Sequence, residues 1–277
     1  MNSILTLMGL TYPQIDPVLF DFGIVQIRWY SLAYLGGLIF AWWFMRRMAN
    51  KPGAPLSADH SDDFFFWGAM GVMIGGRLGY VLFYNLPFYL ENPLDIFMLS
   101  DGGMSFHGGL IGVVLSVIYL CRRHKLPLMR VADLVAILSP IGLLFGRMAN
   151  FINGELWGRP TDVPWGMIFP ADKLQLVRHP SQLYEAALEG VLLFIILQLL
   201  YHFTNLKKKP GIIAGLFFIG YGLSRYTVEF FREPDAHLGL STMLGFEVSR
   251  GQVLTIPMFI FAAWLISRGL RSGKQSS

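Results

Sequence analysis

Arg147 and Asn150 stand three residues apart, and Tyr221, Arg225 and Glu229 recur at four-residue steps, so each set falls on one face of a helix. His107 is bracketed by Gly102 and Gly103 before it and Gly108 and Gly109 after it. Gln182, Glu185 and Glu189 follow one another at the head of a long apolar run. Guanidinium holds its charge at any relevant pH and offers forked donors that match phosphate, whereas imidazole accepts a proton near neutrality. Two or more arginines with a histidine therefore read as a receptor for a phospholipid head group beside a base, the parts of a transfer from a phospholipid to an acceptor. Each residue also has a plainer reading. Arg225 with Glu229 is equally an ion pair locking one helix, Arg77 a snorkelling or packing arginine, His107 a satisfied interfacial histidine and Glu189 a structural carboxylate. Their convergence on one depth favours a polar cavity.

The elements that must position these residues are membrane spans. The chain has 277 residues, of which 54% are hydrophobic and 14% charged, too oily for a soluble domain. Apolar stretches of about 20 residues, the length that crosses a bilayer, fall at Trp29–Met45, Phe64–Tyr84, Phe106–Leu120, Val131–Asn150, Tyr184–Phe203, Ile212–Phe231 and Gln252–Ile266. The expected fold is an all-α integral membrane protein of seven transmembrane helices, a single membrane-embedded catalytic domain over residues 1–277. Its basic connections hold Arg46, Arg47 and Lys51, then Arg122, Arg123, Lys125 and Arg130, then Lys207, Lys208 and Lys209, then Arg268, Arg271 and Lys274. The other set begins with an N-terminal segment whose only basic residue is Arg28, followed by Asn85–Ser105, which has Glu91, Asp95 and Asp101 and no Lys or Arg. This alternation places the N-terminus outside and the C-terminus in the cytoplasm. Residues 151–183, with four prolines and two tryptophans, form an extracytoplasmic cap, and Asn85–Ser105 contains a short interfacial helix in Phe88–Leu99, broken by Pro93. Spans running outward deliver Arg77, Arg147, Asn150, Tyr221, Arg225 and Glu229 to their outer ends. Spans running inward open with Tyr30, His107, Gln182, Glu185 and Glu189. Gly71, Gly75 and Gly79, Gly108 with Gly112, and Gly142 with Gly146 repeat a spacing that favours close helix packing.

Other chemistries lack their parts. The net charge of +4 sits in short clusters between spans rather than in a stripe, so no nucleic-acid partner is expected. No H-E-x-x-H set supports zinc, no G-x-S-G pattern supports a rhomboid-like serine protease, and spaced aspartates for alcohol or prenyl transfer are missing; neither metal nor cofactor is expected. Asp62 and Asp63 are assigned to helix capping. Cys121 is the single cysteine, placed in a basic connection, so any thiol chemistry must use a substrate's sulfur. The first 25 residues hold no Lys or Arg and no cleavage site, so the first span is expected to be retained. Two alternatives remain on the charge pattern alone: a lipid or anion transporter, which would need polar residues through the inner half as well, and a phospholipid-dependent transferase with a sugar or amine acceptor.

Four segments narrow the choice. Gly146–Thr161 (GRMANFINGELWGRPT) resembles the signature of the prolipoprotein diacylglyceryl transferase family, and Gly102–Gly112 (GGMSFHGGLIG) resembles its histidine motif. Arg178–Glu185 (RHPSQLYE) and Tyr221–Asp235 (YGLSRYTVEFFREPD) match further blocks, in the family's order. The resemblance implies transfer of the diacylglyceryl group of phosphatidylglycerol to the lipobox cysteine of a prolipoprotein, releasing glycerol phosphate. The implied setting is the bacterial cytoplasmic (inner) membrane, with the active site toward the extracytoplasmic side. It also implies roles: Arg147 and Arg225 around the phosphate, His107 as base for the thiol, Asn150 and Glu155 orienting the head group, and Tyr30, Tyr221, Glu229 and Arg232 shaping or neutralising the cavity.

Overall fold

The computed structural model describes residues 9–23, 26–98, 102–233, 240–243 and 246–274. They form two compact units, Leu38–Leu134 and Met1–Gly37 with Val135–Ser277. The boundaries fall inside two long helices, α1 (Trp29–Ala49) and α5 (Leu128–Ile152).

The Leu38–Leu134 unit is built on α2 (Ala58–Tyr84) and α4 (Phe106–Arg123). Glycine sets how closely they pack. A Cβ on Gly71 would lie 2.7 Å from the Gly112 carbonyl oxygen, and one on Gly79 would lie 2.6 Å from the Gly108 Cα. The four-residue glycine steps thus bring two backbones into contact, as their spacing predicts. A Cβ on Gly142 or Gly146 would meet nothing within 4 Å, so the same spacing carries no such contact in α5. Helix α2 is capped by Ser57, whose hydroxyl accepts from His60 N while His60 Nδ1 accepts from Ser57 N at 3.1 Å. Asp62 and Asp63 are therefore not the caps: Asp62 takes Arg46 at 2.8 Å and Trp42 Nε1 at 2.6 Å, and Asp63 lies 3.0 Å from His124 Nε2. Cys121 is buried in the last turn of α4 rather than lying in a connection.

Between these helices run α3 (Leu86–Glu91) and a 3-10 turn, Pro93–Phe97. The helix expected over Phe88–Leu99 thus begins two residues earlier and is divided at its proline, and Leu99 lies outside the described residues. Arg77 holds this connection. It is 4% exposed, and its Nε donates to Ile96 O at 2.8 Å, its Nη1 to Gly102 O and Gly103 O, and its Nη2 to Asp95 O and Met98 O. All five N–H donors of a guanidinium are thereby used on main-chain carbonyls. The packing reading of Arg77 holds, and it has no donor left for a phosphate.

In the other unit, a hairpin of β2 (Val18–Asp21) and β3 (Gln26–Arg28) leads into α1, and β1 (Leu10–Thr11) pairs in parallel with β4 (Met167–Ile168), which pairs antiparallel with β5 (Val177–Arg178). Tyr12, Phe151 and Phe169 make a buried aromatic core under these strands, and the Tyr12 hydroxyl lies on the Phe151 and Ile152 carbonyls at the end of α5. The last carbonyls of a helix lack the usual intrahelical donors, so the hydroxyl helps satisfy this end, where Phe151 O also accepts from Gly154 N at 2.9 Å. A long helical stretch follows: α6 (Ser181–Glu185), a π-helical segment (Ala186–Leu192) and α7 (Leu193–Phe203). Then come α8 (Ile212–Val228), a hairpin of β6 (Leu240–Met243) and β7 (Phe246–Ser249), and α9 (Arg250–Lys274).

Among the described residues, five helices are long and apolar enough to cross a membrane: Ala58–Tyr84, Phe106–Arg123, Leu128–Ile152, Ser181–Phe203 and Gly251–Ser272. The chain is a mostly helical, multi-pass membrane protein. The stretch predicted at Trp29–Met45 lies in α1, and that predicted at Ile212–Phe231 lies in α8, which stops at Val228.

Candidate active site

Glu185 and Glu189 stand at the join of α6 and the π-helical segment, 1% and 0% exposed. A π-helical turn widens the helix locally and marks functional sites more often than chance. Arg147, on α5, reaches both: its Nε lies 3.3 Å from Glu185 Oε2, and its Nη2 lies 3.3 Å from Glu189 Oε2. The Glu185 contact is ionic without hydrogen-bond alignment, since that oxygen has no hydrogen-bond partner. Arg225, near the end of α8, is held harder. Its Nη1 donates to Glu185 Oε1 at 2.6 Å, and its Nη2 lies 2.8 Å from Glu229 Oε2, one turn on. Arg232 adds a third guanidinium, 3.5 Å from Glu185 Oε1.

Glu185 is thus the hub on which three arginines converge, from α5, from α8 and from the segment after α8. The sequence gives it only a supporting place at the head of a span. The guanidiniums supply the pairing that a carboxylate only 1% exposed requires. The remaining oxygen of Glu189, Oε1, is buried with no hydrogen-bond partner.

Tyrosines and amides border this cluster. Tyr221, one turn before Arg225, interacts electrostatically with Glu189, Arg147, Arg225 and Glu185, and Tyr30, in the first turn of α1, does so with Glu155 and Arg147. Tyr30 also shares a hydrogen bond of 3.2 Å with Tyr34. Asn150 is buried at the end of α5 and donates to Glu155 Oε1 at 2.8 Å, with Asn153 adding 3.3 Å. The Gln182 amide reaches the Glu155 carbonyl, so the signature segment is tied to the head of α6.

The cap residues fix the ends of these helices. Gly158 N donates to His179 O and Arg159 N to Phe231 O, both at 2.8 Å, which clasps the chain entering α6 to the chain leaving α8. A side chain at Gly158 has no room, because a Cβ would meet the Phe231 carbonyl oxygen. Arg178 is buried and donates to Asp172 Oδ2 at 2.6 Å and Glu233 Oε2 at 3.2 Å, stacking over Trp157. The Arg178 hydrogen bond holds the Asp172 carboxyl below its usual range, helped by the Leu174 and Leu176 amides. Trp165 Nε1 donates to the Tyr184 hydroxyl at 2.7 Å, and that hydroxyl shares a hydrogen bond with His179 Nδ1 at 3.0 Å. Burial pushes the His179 imidazole below its ordinary value.

Of the residues singled out in the sequence, Tyr30, Arg147, Asn150, Glu155, Tyr221, Arg225, Glu229 and Arg232 all belong to the unit of Met1–Gly37 and Val135–Ser277. His107 belongs to the Leu38–Leu134 unit, exposed on the first turn of α4, where Ser105 caps the helix by accepting from Gly108 N at 3.2 Å. Asp235 lies outside the described residues. Among the described residues no group of three or more histidine, cysteine, aspartate or glutamate side chains could hold a metal ion.

Comparison with known proteins is concordant along the chain. The family model of prolipoprotein diacylglyceryl transferase matches residues 17–268. Three relatives carry the name phosphatidylglycerol–prolipoprotein diacylglyceryl transferase. That of Azospirillum brasilense is 52% identical over 267 residues, covering 96% of this chain and 98% of its own length. That of Rhodospirillum rubrum is 55% identical over 256 residues, 92% of each chain. That of Allorhizobium ampelinum is 50% identical over 281 residues, 99% of this chain and 97% of its own. Matched over nearly its whole length by the family model and by these relatives, the chain belongs to the prolipoprotein diacylglyceryl transferase family.

Proposed function

We propose that the protein transfers the sn-1,2-diacylglyceryl group of phosphatidylglycerol to the lipobox cysteine thiol of prolipoproteins, forming a thioether and releasing glycerol phosphate, the first step of bacterial lipoprotein maturation. The observation that carries this is the cluster in which Arg147 and Arg225 are 17% and 16% exposed and share Glu185. Guanidiniums so placed are desolvated, pre-oriented and still open at one edge, the conditions under which they hold a phosphodiester strongly. Displacement at the glycerol carbon needs that phosphate stabilised as it leaves and the thiol activated as it attacks.

In this reading Arg147 and Arg225 bind the phosphate, and His107 takes the thiol proton. Asn150 and Glu155 orient the glycerol head group, while Tyr30, Tyr221, Glu229 and Arg232 shape the cavity and balance its charge. A thiol with a pKa near about 8.5 is only slightly ionised at neutral pH, so a base adds to the rate. The chain works as one catalytic domain over residues 1–277, with the cap at 151–183. It lies in the bacterial inner membrane with seven spans, N-terminus outside, C-terminus cytoplasmic and site extracytoplasmic; the basic connections support that orientation.

The test incubates the purified protein with phosphatidylglycerol and a lipobox peptide and looks by mass spectrometry for a diacylglyceryl adduct on the cysteine. An adduct is expected; its absence in a membrane-like environment sinks the assignment. Arg147→Ala and Arg225→Ala should each abolish transfer. Normal transfer by His107→Gln across neutral pH would remove the histidine from its role.

A further inference from the structure

The buried cluster has a charge balance that an incoming phosphate must upset. Among the described residues, three guanidiniums, Arg147, Arg225 and Arg232, face three carboxylates, Glu185, Glu189 and Glu229. Glu155, held by Asn150 and Asn153, adds a further carboxyl at the border. A phosphodiester brings another negative charge into a site where the carboxylates are almost fully buried. An uncompensated charge there costs several kcal/mol, and a buried carboxyl escapes that cost by taking a proton.

The three buried carboxylates are not equal candidates. Glu185 has three arginines around it, one at 2.6 Å. Glu229 has Arg225 at 2.8 Å, and it packs on Gly251 in the first turn of α9, where the helix dipole favours negative charge. Among the described residues Glu189 has Arg147 as its one ion-pair partner, at 3.3 Å and 3.4 Å, and its Oε1, like Glu185 Oε2 and Glu229 Oε2, has no hydrogen-bond partner. The groups facing it are Arg147 from α5, Tyr221 and Arg225 from α8, and Glu185 from its own stretch. When a phosphate draws Arg147 toward itself, Glu189 loses its one direct ionic partner.

We propose that Glu189 takes up a proton from solvent when the lipid phosphate docks on Arg147 and Arg225, so that one carboxylate charge is exchanged for the phosphodiester charge. The proposal rests on the reading that these arginines bind the phosphate. In the step, the carboxylate and a proton become a carboxylic acid, and no other bond is made or broken. The proton is returned when glycerol phosphate leaves and Arg147 swings back. Glu189 is a positioning residue in this sense: it lets Arg147 turn to the substrate without leaving a buried charge behind. The π-helical segment that carries it provides the local give.

The test titrates the full-length protein, in phosphatidylcholine nanodiscs without acceptor peptide, with a short-chain phosphatidylglycerol in calorimetry buffers of different ionisation enthalpy. The expected result is uptake of about one proton per lipid above neutrality, with apparent affinity falling about tenfold per pH unit. In Glu189→Gln the uptake and the pH slope should vanish, while His107→Gln should keep both. Should Glu189→Gln not fold, infrared difference spectra of the unaltered protein supply the second readout, a new protonated-carboxyl band on lipid addition that Glu189→Asp shifts. Lipid binding and transfer with no proton uptake, uptake retained in Glu189→Gln, or no carboxyl band would each overturn this proposal and leave the transferase reading standing. Absence of both lipid binding and transfer would overturn the two together.

Discussion

Arg225 bridges two buried carboxylates on different elements at 2.6 Å and 2.8 Å, whereas Arg147 stands 3.3 Å from each of its pair. Both arginines are assigned to the same phosphate, yet the two should behave differently when removed. Arg225→Ala leaves Glu185 and Glu229 short of their nearest positive charge, a loss of about 3–5 kcal/mol when a buried pair is broken. Arg147→Ala gives up longer contacts, and Glu189 can shed its unpaired charge by taking a proton, so the loss should be about 1–3 kcal/mol. Thermal unfolding in detergent should therefore separate the variants, Arg225→Ala melting lower, while transfer is abolished in both. Equal melting points would mean that the distances do not report the strength of the two bridges. The arginines were legible in the sequence because a guanidinium at membrane depth is rare and falls on a helical face with other polar groups. The central place of Glu185 was not, since nothing in residue spacing says how many arginines from elsewhere will reach one carboxylate. Glu189, read as a structural carboxylate, pairs with Arg147, and its surroundings depend on a π-helical turn that the apolar pattern does not announce.

At the scale of elements, helices were easier to foresee than the contacts that pin their connections. Apolar runs and glycine steps translate directly into spans and into the close packing of α2 on α4. Arg77 shows the limit, because its partners are main-chain carbonyls, which every residue offers and no sequence pattern marks. Lysine has three donors where arginine has five, so Arg77→Lys should loosen the Pro93–Phe97 turn and the Gly102–Gly103 link that precedes His107. Hydrogen exchange at residues 94–98 and 102–105 should rise in that variant, with the Leu38–Leu134 unit otherwise protected as before; unchanged exchange there would deny Arg77 its clamping role. The cap gives a second element-level expectation. The Asp172 carboxyl is held below its usual range by Arg178, so the pair's contribution to stability is present above the unfolded value of about pH 4 and is lost as pH falls through the folded value. Trp157, over which Arg178 stacks, should report this as a fluorescence change on acidification. Asp172→Asn should already show the altered signal at neutral pH and lose the acid transition. An acid transition identical in both proteins would assign it to another group.

For the whole molecule, the open question is how often the chain crosses the membrane, and it narrows to two helices. Five helices meet the length and composition of a span without help, leaving α1 and α8. Helix α1 has 21 residues, about 31 Å at a rise of about 1.5 Å per residue, enough for a core about 30 Å thick. Helix α8 has 17 residues, about 26 Å, so it is short by about a turn and must borrow the residues after Val228 or thin the bilayer. Crossing by both makes seven spans and puts the basic connections all on one side, whereas crossing by neither would bring Phe22 to the side of Lys51, and Lys208 to that of Glu233. Single cysteines at Phe22, Lys51, Lys173, Lys208 and Glu233, in a Cys121→Ser background, separate these arrangements, since each of those positions is exposed. A membrane-impermeant maleimide applied to spheroplasts should label positions 22, 173 and 233 directly and positions 51 and 208 only after the membrane is opened. Equal labelling at 22 and 51 would remove α1 from the spans, and equal labelling at 208 and 233 would remove α8. The reversed pattern throughout would turn the protein over and place the arginine cluster toward the cytoplasm, away from a prolipoprotein presented on the outer face.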